Sequence, residues 1–547
     1  MLEPIVQDEG AKAVVGLLKC KQLAKIIKAR RTPPWPTPVT SDLPPKEVAD
    51  ALVDIYLRTY ETIYRVLHIP SFKRDYDALW LPGKIHDTAF LVQLKLIFAI
   101  GATMYDDHFT LRTSAIRWVH EAQTWSSEPE FKSRLTIQFL QTSILLLLAR
   151  ESVGVDGSLT WISVGNVMRT AMHMGLHRDP LVQAKRTLFS SEMRRRLWNT
   201  IVELALQTSM ESGGPPLLSM EDFDTQPPGN FDDDQIESED PTPKPEGIFT
   251  GMSIALSLRQ MFPLRLDIAR SLNALGMQRG YEETLRLDSE LRACYKTVCM
   301  TLQRHRLVNS SAQTAFGVHA LDFIINRYII GLHSPYFSAS HKGVAFAFSR
   351  KVVVETALKI WSAVYPSSIM APSPFEDPSR PKNDYLTRLA RCGYGVFRKS
   401  PMQACFLVAA ELRAQLQEEH SLGPVPLRRD LLSVLEDGKK WSLNSITAGE
   451  TNIKGYLFLS WVDTLIHGMV RGIPKDQFPE ILMKTGEDVV AQCLEIFEQK
   501  LDENPDLVGV NVDNLDELAF DISPDWIDSW GFLVSVKRNT TGIKSCG

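Results

Sequence analysis

The chain has 547 residues, of which 44% are hydrophobic and 23% charged, and its net charge is −5. This composition is typical of a soluble globular protein, and the length predicts either two to four domains or one continuous helical body. A protein that binds nucleic acid with its main body is usually basic, so the acidic balance leaves only local contact with DNA.

The seven cysteines are dispersed, and no two of them form a C-x-x-C pair. This pattern argues for a reducing compartment and against a disulfide framework or a structural zinc site. The N-terminus, MLEPIVQDEG, lacks the features of a secretory signal, and the apolar run at 139–149 is too short to cross a bilayer. We therefore expect a soluble intracellular protein with no membrane contact.

Residues 11–31 combine lysines and arginines with apolar residues at helical spacing. Two interpretations remain open. The helix either contacts nucleic acid, a membrane or an import receptor, or docks on the body through a stripe of apolar side chains. The predicted stripe contains Val14, Leu17, Leu18 and Ile26. The proline-rich stretch at 32–45 then predicts an extended connector.

Helical periodicity resumes in residues 46–80, where Pro70 forces an interruption. We expect Ser71 to cap the following helix and His68 to be a hydrogen-bonded structural histidine. Residues 88–149 predict two further apolar helices, and the first, TAFLVQLKLIFAIGATMY, is apolar nearly all round. That helix should lie in the centre of a bundle.

The central stretch, from Trp161 to Asp233, contains two helical patterns and a long exit rich in Gly, Pro and Asp. In the first pattern Gly175 is expected to end the helix, and Gly165 is expected to let another helix approach. The second pattern predicts a buried face and an arginine triplet, 194–196, whose members cannot all face one partner; at least one is expected to reach the body, with Glu192 nearby. The buried face comprises Met193, Leu197, Ile201, Leu204 and Thr208.

The acidic segment at 232–247 predicts a mobile insert, and its Asp232–Asp234 run reads as solvated charge. A second mobile insert is predicted near 365–383. Helical patterns continue between and beyond these inserts without strand alternation, so the predicted fold class is all-α, a large multi-helix body. The expected domains are 1–45, a helical body at 46–501, and a tail at 502–547.

The tail segment at 513–533 interleaves acidic residues with large apolar ones. The aromatic residues are Phe520, Trp526, Trp530 and Phe532. This composition is typical of activation segments, which dock into a partner's groove on binding. A C-terminal helix that closes the body is the alternative.

Catalytic motifs receive little support. His177-Arg178-Asp179 matches the centre of a kinase catalytic loop, but the flanking kinase motifs are missing. The sequence also lacks the G-x-S-x-G, P-loop, H-E-x-x-H and G-x-G-x-x-G patterns. The sequence therefore predicts no enzyme, no catalytic residue and no metal ligand.

The central stretch resembles the middle homology region of fungal zinc-cluster transcription factors, also called the fungal-specific transcription factor domain. A Trp-initiated helix ending in GLHRDP is followed by EMRRRLW, a Gly-Pro-Pro turn and a series of aspartates. The residues that carry the resemblance are Trp161, Gly175, His177, Arg178, Asp179, Arg195, Arg196, Trp198, Gly214, Pro215, Asp222 and Asp224.

The resemblance implies a nuclear transcription regulator whose helical body controls the tail, and control of a metabolic or secondary-metabolite gene cluster. Implied partners are the transcription machinery or co-regulators, a homo- or heterodimer partner and a small-molecule effector.

The family's six-cysteine zinc cluster has no counterpart here, since Cys20 stands alone ahead of the domain. No zinc cofactor or DNA-binding residue can therefore be assigned in this chain. DNA contact requires an upstream module or a partner. Either the gene product lacks the cluster or the gene model starts downstream of it.

Two rivals to a DNA-binding regulator remain. One is a co-regulator that dimerises with relatives carrying the zinc cluster. The other is an enzyme on a helical scaffold.

Overall fold

The computed structural model describes residues 12–502, apart from 84–86, 129–134, 156–158, 183–185, 239–240, 274–279, 309–314, 342, 367–383 and 419–427, and apart from the side chains of 305–308. This described part is helical and contains no strand, so the all-α prediction is confirmed. The predicted insert at 365–383 lies almost wholly outside it, as does the tail with Phe520, Trp526, Trp530 and Phe532. The predicted domain boundaries stay predictions.

The α-helices are, in chain order, α1 (Lys12–Arg31), α2 (Lys46–Arg58), α3 (Tyr60–Ile63), α4 (Ile69–Leu79), α5 (Thr88–Tyr105), α6 (Arg112–Ser126), α7 (Ile137–Val153), α8 (Thr160–His173), α9 (Leu188–Ser212), α10 (Ser253–Gln260), α11 (Phe262–Leu272), α12 (Tyr281–Val308), α13 (Ala315–Ser340), α14 (Ala347–Val364), α15 (Tyr385–Cys392), α16 (Val396–Glu418), α17 (Arg429–Thr447), α18 (Lys454–Val470) and α19 (Phe478–Asp502).

Contacts within the chain define two compact units. The larger unit comprises 31–408 and 428–459. At its centre α5 packs against α2, α6, α7 and α15, and its residues from Leu91 to Met104 are buried. The predicted central position of this helix is confirmed. Helix α6 was missed, because its polar residues hide its apolar face in the sequence.

Helices α5 and α13 are long and apolar enough to cross a membrane by length and composition. In each of them, 78% of the most apolar stretch is buried inside the protein, as in the core helices of soluble proteins. Helix α13 continues through Pro335 to Ser340.

The connector at 32–45 has no regular secondary structure but is tied to the core of this unit. Lys95 Nζ donates to Thr40 O at 2.6 Å and to Glu121 Oε2 at 2.5 Å. Both Lys95 and Glu121 are buried, so this ion pair depends on its hydrogen bonds to offset the desolvation of two charges.

In the smaller unit, which includes 12–30 and 460–502, α1 packs against α19. Cys20 Sγ lies 3.9 Å from Val490 O, and a Cβ on Gly16 would lie only 2.3 Å from Val490 Cγ1. The buried residues of α1 are Ala13, Val14, Cys20 and Ile27. Of the predicted stripe, Val14 is buried, whereas Leu17, Leu18 and Ile26 are half-buried, and Gly16 allows the close approach.

Two local predictions also need correction. His68, not Ser71, caps α4, and its ring accepts from the backbone N of Ser71. Among the described residues, a Cβ on Gly165 would lie within 4 Å only of Arg169 of its own helix, so none of the described helices approaches closely at this position.

Candidate regulatory site

The GLHRDP sequence forms the turn that follows α8. Gly175 has a φ of +77°, and Leu176 N donates to Ala171 O at 2.9 Å, which closes a Schellman motif. The prediction that Gly175 ends this helix is confirmed. The turn directs the next residues, His177 to Asp179, towards α9.

Asp179 is buried at the end of this turn and forms a two-point ion pair with Arg195 of α9. Arg195 Nε and Nη2 lie 3.0 and 2.9 Å from the two carboxylate oxygens of Asp179. Arg195 Nη1 donates to Glu192 Oε1 at 2.8 Å. Burial raises the pKa of Asp179, but the hydrogen bonds from Arg195 and two backbone N–H groups outweigh it and lower the pKa overall. The carboxylate is therefore ionised and fully engaged at neutral pH.

Residues 214–234, here called the strap, return along the turn. Asp224 Oδ1 accepts from Asp179 N at 2.7 Å, and Asp224 N donates to His177 O at 3.1 Å. Arg178 Nε lies 3.1 Å from Asp224 Oδ2, and Gln226 N donates to Asp179 Oδ2 at 3.0 Å. His177, Arg178 and Asp179 thus anchor the strap and are not arranged as a kinase loop.

The beginning of the strap passes the start of α8. Helix α9 ends at Ser212, and Gly213 follows with a φ of +69°. A Cβ on Gly214 would lie 2.9 Å from the Trp161 ring, so glycine allows this close passage before Pro215. Further along, Asp222 Oδ2 accepts from Ser219 N at 2.6 Å and stabilises a short 3-10 turn.

The middle of the strap is held by both polar and apolar contacts. Gly229 N donates to Glu192 Oε2 at 2.8 Å. Phe231 packs in a small apolar cluster with Met193 of α9 and Ile236. Trp198 of α9 packs edge-on against Phe223, with ring centroids 5.6 Å apart. Glu192 therefore connects the strap with Arg195, the arginine that binds the turn.

Asp233, the second-last residue of the strap, lies in the interior of the larger unit. Its Oδ1 accepts from Arg65 Nη2 at 2.5 Å and from Arg196 Nη1 at 2.7 Å, while Oδ2 accepts from Ile69 N at 2.9 Å. His68 Nε2 lies 2.9 Å from Asp233 O, which confirms the expected structural role of His68. The expectation of solvated charge is wrong for Asp233.

The predicted mobile insert at 232–247 is also anchored at several points. Asp232 pairs with Lys244 and accepts from Gly251 N. Ile236 is buried, and Glu237 pairs with Arg74. Asp233 and Glu237 pair with arginines that lie far away in the sequence, whereas Asp232 pairs with Lys244 of the same segment.

The charges around Asp233 shift one another's protonation. Burial raises the pKa of Asp233, but Arg65 and Arg196 lower it more, so the pKa lies below its ordinary value. Neighbouring Glu61 is completely buried, and burial raises its pKa to about 7 despite Arg65 and the hydrogen bond from Tyr56. Near neutral pH the cluster therefore holds two guanidinium groups, one firm carboxylate and one that titrates.

Helix α9 continues this polar face deeper into the core. Glu192, Arg196, Glu203 and Gln207 follow helical spacing and are all buried. Arg265 of α11 forms a two-point pair with Glu203, at 2.7 and 2.6 Å. Tyr64 Oη donates to Gln207 Oε1 at 2.9 Å. One helix thus joins the turn, the strap, α3 and α11 through buried polar contacts.

The sequence patterns did not indicate that Glu61, Arg65, Glu203 and Arg265 are buried and paired. Each is a charged residue inside a helical run, and the usual expectation for such a residue is an exposed face. Glu203 shares one face of α9 with Glu192, Arg196 and Gln207, about 120° around the helix from the predicted apolar face, so its position did not indicate burial. A buried charge needs a partner, and the sequence does not identify that partner.

The described part of the chain holds no group of three or more His, Cys, Asp or Glu side chains able to bind a metal ion. Its cysteines are unpaired thiols. The zinc cluster of the resembled family therefore does not fit these residues. The carboxylates of the site bind arginines and backbone N–H groups, an arrangement suited to fixing one conformation.

The comparisons with known proteins bear on this geometry. The model of the fungal specific transcription factor domain matches residues 53–296, which include the strap and all its partners described above. The chain thus carries a fungal specific transcription factor domain over these residues.

Several curated relatives agree with this assignment. The transcription factor opdR of Penicillium oxalicum is 34% identical over 511 residues, which cover 86% of this chain and 63% of the relative. The transcription factor lepE of Aspergillus flavus is 31% identical over 510 residues, covering 89% and 60%. The aspyridones cluster regulator apdR of Emericella nidulans is 30% identical over 354 residues, covering 62% and 46%. The chain thus spans less than two thirds of these relatives, and no solved structure matches it.

Proposed function

We propose that this chain is a transcription regulator of the fungal zinc-cluster type that acts in the nucleus. The observation that carries the proposal is the similarity to opdR and lepE, both named transcription factors, across 86% and 89% of the chain. The name of apdR, a cluster regulator, supports control of a secondary-metabolite gene cluster. On this proposal the chain is not an enzyme.

The helical body is the regulatory part of the proposed regulator. The strap joins the α8 turn and the start of α4 through hydrogen bonds and joins α9 through a buried ion pair, so these elements are expected to move together. A small-molecule effector or partner protein that binds one arrangement more tightly shifts the population towards it. The body then presents or restrains the acidic-aromatic tail to the transcription machinery or co-regulators.

DNA contact is assigned to a module or partner outside the described residues. The net charge of −5 supports this division, since the body as a whole is not basic. A homo- or heterodimer is one way to supply the contact. No zinc-dependent step is assigned to the described body.

Deleting the gene in its native host and sequencing the transcripts tests the proposed function. We expect coordinated loss of transcripts from a set of neighbouring biosynthetic genes, restored by the wild-type gene. The matched controls are complementation with Asp233→Asn, which should weaken the body, and with Asp234→Asn, which alters an exposed neighbour. Unchanged transcripts under conditions where the protein is present contradict the proposal.

A second measurement separates a DNA-binding regulator from a co-regulator. Purified full chain is mixed with promoter fragments of the affected genes, alone and with a family member that carries a zinc cluster. Binding only in the mixture identifies the co-regulator.

A further inference from the structure

Three arginines of the larger unit, Arg31, Arg112 and Arg398, come together where α15 and α17 end. This arginine cluster lies outside the strap and its partners. Arg31 Nη1 donates to Gly449 O at 2.7 Å, and Arg112 Nη2 donates to Ala448 O at 3.2 Å. The guanidinium groups are thus fixed by the loop that follows α17.

That loop has a conformation suited to two neighbouring guanidinium groups. Gly449 has a φ of +102° and forms a Schellman motif in which Glu450 N donates to Ser445 O at 3.0 Å. A Cβ on Gly449 would lie 3.1 Å from Arg31 Nη2 and 3.2 Å from Arg112 Nε. Both nitrogens therefore lie beside the same buried glycine.

The partners of the cluster are mostly neutral. Arg112 Nη2 also donates to Cys392 O at 3.3 Å, and Arg398 Nη1 donates to Arg391 O at 3.1 Å. These carbonyls belong to the C-terminal end of α15, just as Ala448 O and Gly449 O follow α17. Each helix end supplies roughly half a negative charge.

The one carboxylate that acts on all three arginines is Glu450, within the described residues. Its Oε2 lies 3.1 Å from Arg398 Nη2, while Oε1 accepts from the backbone N of Thr451 and of Asn452 at 2.8 Å. One carboxylate and two helix ends supply about two negative charges against three positive ones. The cluster keeps an excess of positive charge.

The position of Arg112 makes this excess costly. Its Nε is buried and has no hydrogen-bond partner among the described residues, and its guanidinium lies 4.3 Å from the centre of the Phe109 ring. Phe109 has a φ of +52°, a left-handed conformation that non-glycine residues rarely adopt. Burial and the nearby charge of Arg31 lower the pKa of Arg112 to about 10, so it remains charged at neutral pH.

We propose that the arginine cluster binds a small oxyanion, the carboxylate or phosphate group of a small-molecule ligand. Guanidinium groups match the planar or tetrahedral oxygens of such anions by paired charge-assisted hydrogen bonds. An anion bound beside Gly449 accepts a hydrogen bond from Arg112 Nε, and its negative charge reduces the repulsion between Arg31 and Arg112. This site is independent of the proposed function, because anion binding requires only the body.

Thermal unfolding of the full chain tests the site with inorganic phosphate as the probe. Phosphate is titrated against sodium chloride at constant ionic strength, and a ligand of the native state raises Tm with concentration. We expect phosphate to raise Tm and chloride to leave it unchanged. If phosphate does not raise the Tm of the wild-type chain more than chloride does, the proposal is overturned, whatever the variants show.

Substitution of Arg31 then locates the ion. Arg31 is half-buried, so Arg31→Gln removes a charge with little loss of core packing. The loss of a charge-assisted hydrogen bond should weaken phosphate binding roughly tenfold or more by calorimetry. Arg31→Lys keeps the charge and should retain part of the affinity for phosphate. This variant still tests the site if Arg31→Gln fails to fold.

The matched control is Arg286→Gln, which alters an exposed arginine paired with Glu283 and Glu290 on α12. It should bind phosphate as the wild-type chain does. An equal phosphate response in the Arg31 variants and the control means that the ion binds elsewhere, and the assignment is then wrong.

Discussion

Arg196 Nη1 donates to Asp233 Oδ1 at 2.7 Å, across 37 positions of the sequence and inside the larger unit. Arg196 is 0% exposed, and Asp233 also receives the charge of Arg65. This pairing places the end of the strap on the interior face of α9. It turns a stretch that resembles a surface loop in sequence into part of the core.

Asp233→Asn should destabilise the protein strongly. The substitution keeps the shape of the side chain but leaves Arg65 and Arg196 buried without their carboxylate. Removing one partner of a buried ion pair typically costs about 3–5 kcal/mol in the free energy of unfolding. Urea denaturation measures the change.

Asp234→Asn is the control for that substitution, because Asp234 is the exposed neighbour in the same run. It should change the free energy of unfolding by less than about 0.5 kcal/mol. Equal effects of the two substitutions mean that Asp233 does not stabilise the interior.

Glu61 should make the stability depend on pH near neutrality. Its pKa is about 7 in the folded protein against 4.5 for the ordinary group, so the folded state binds more protons between these values. Stability should therefore fall as pH rises from about 4.5 to 7 and level off above that. The slope in this window should be smaller for Glu61→Gln than for the wild-type chain, as measured by urea denaturation at several pH values.

Asp179 and Asp233 should make the stability change with pH in the opposite direction in acid. The pKa values of Asp179 and Asp233 are lowered in the folded protein, so their contribution is present above their ordinary pKa and is lost as pH falls through the folded value. Unfolding should set in below pH 3.8, the ordinary pKa of these groups. Asp233→Asn should show a weaker acid transition, and an unchanged one removes Asp233 from its cause.

Leu197→Ala should destabilise more than Trp161→Ala. Leu197 is fully buried on α9, and such a large-to-small change costs about 2–5 kcal/mol. Trp161 is half-buried beside Gly214, so its replacement by alanine removes a smaller share of its apolar surface from the interior. Melting temperatures of both variants near the wild-type value contradict a core role for the central helices.

Deleting residues 513–547 should abolish reporter activation when the chain is fused to a foreign DNA-binding domain. The tail's aromatic residues are expected to dock into a partner, with acidic residues keeping them soluble. A control fusion with Trp526 and Trp530 changed to Ala keeps the acidic charge and should also lose activation. Full activation by the deletion, at equal protein level, removes the tail from the mechanism.

Patterns between neighbouring residues predicted much of the fold and of the central stretch. Helical periodicity predicted the buried face of α9 from Met193 to Thr208, and glycine chemistry predicted the end of α8 at Gly175. The split between α15 and α16 was missed, because Gly395 acts through a φ of +72° that apolar periodicity does not report.

The partners of the charged residues could not be predicted, because they depend on tertiary packing. Arg195 binds Asp179 only because the turn after α8 brings that carboxylate to α9. Asp233 looked solvated beside Asp232 and Asp234, and only the folded chain brings Arg65 and Arg196 to it. A run of like charges does not show which member faces inward.

Chromatin association of the tagged chain in its native host tests the central claim most directly. The tagged protein is expressed from its own locus, and its crosslinked DNA is sequenced with and without co-expressed relatives that carry a zinc cluster. We expect enrichment at the promoters of a contiguous set of biosynthetic genes whose transcripts fall when the gene is deleted. A genome-wide profile identical to that of an untagged strain, with the protein present and folded, contradicts the assignment as a transcription regulator.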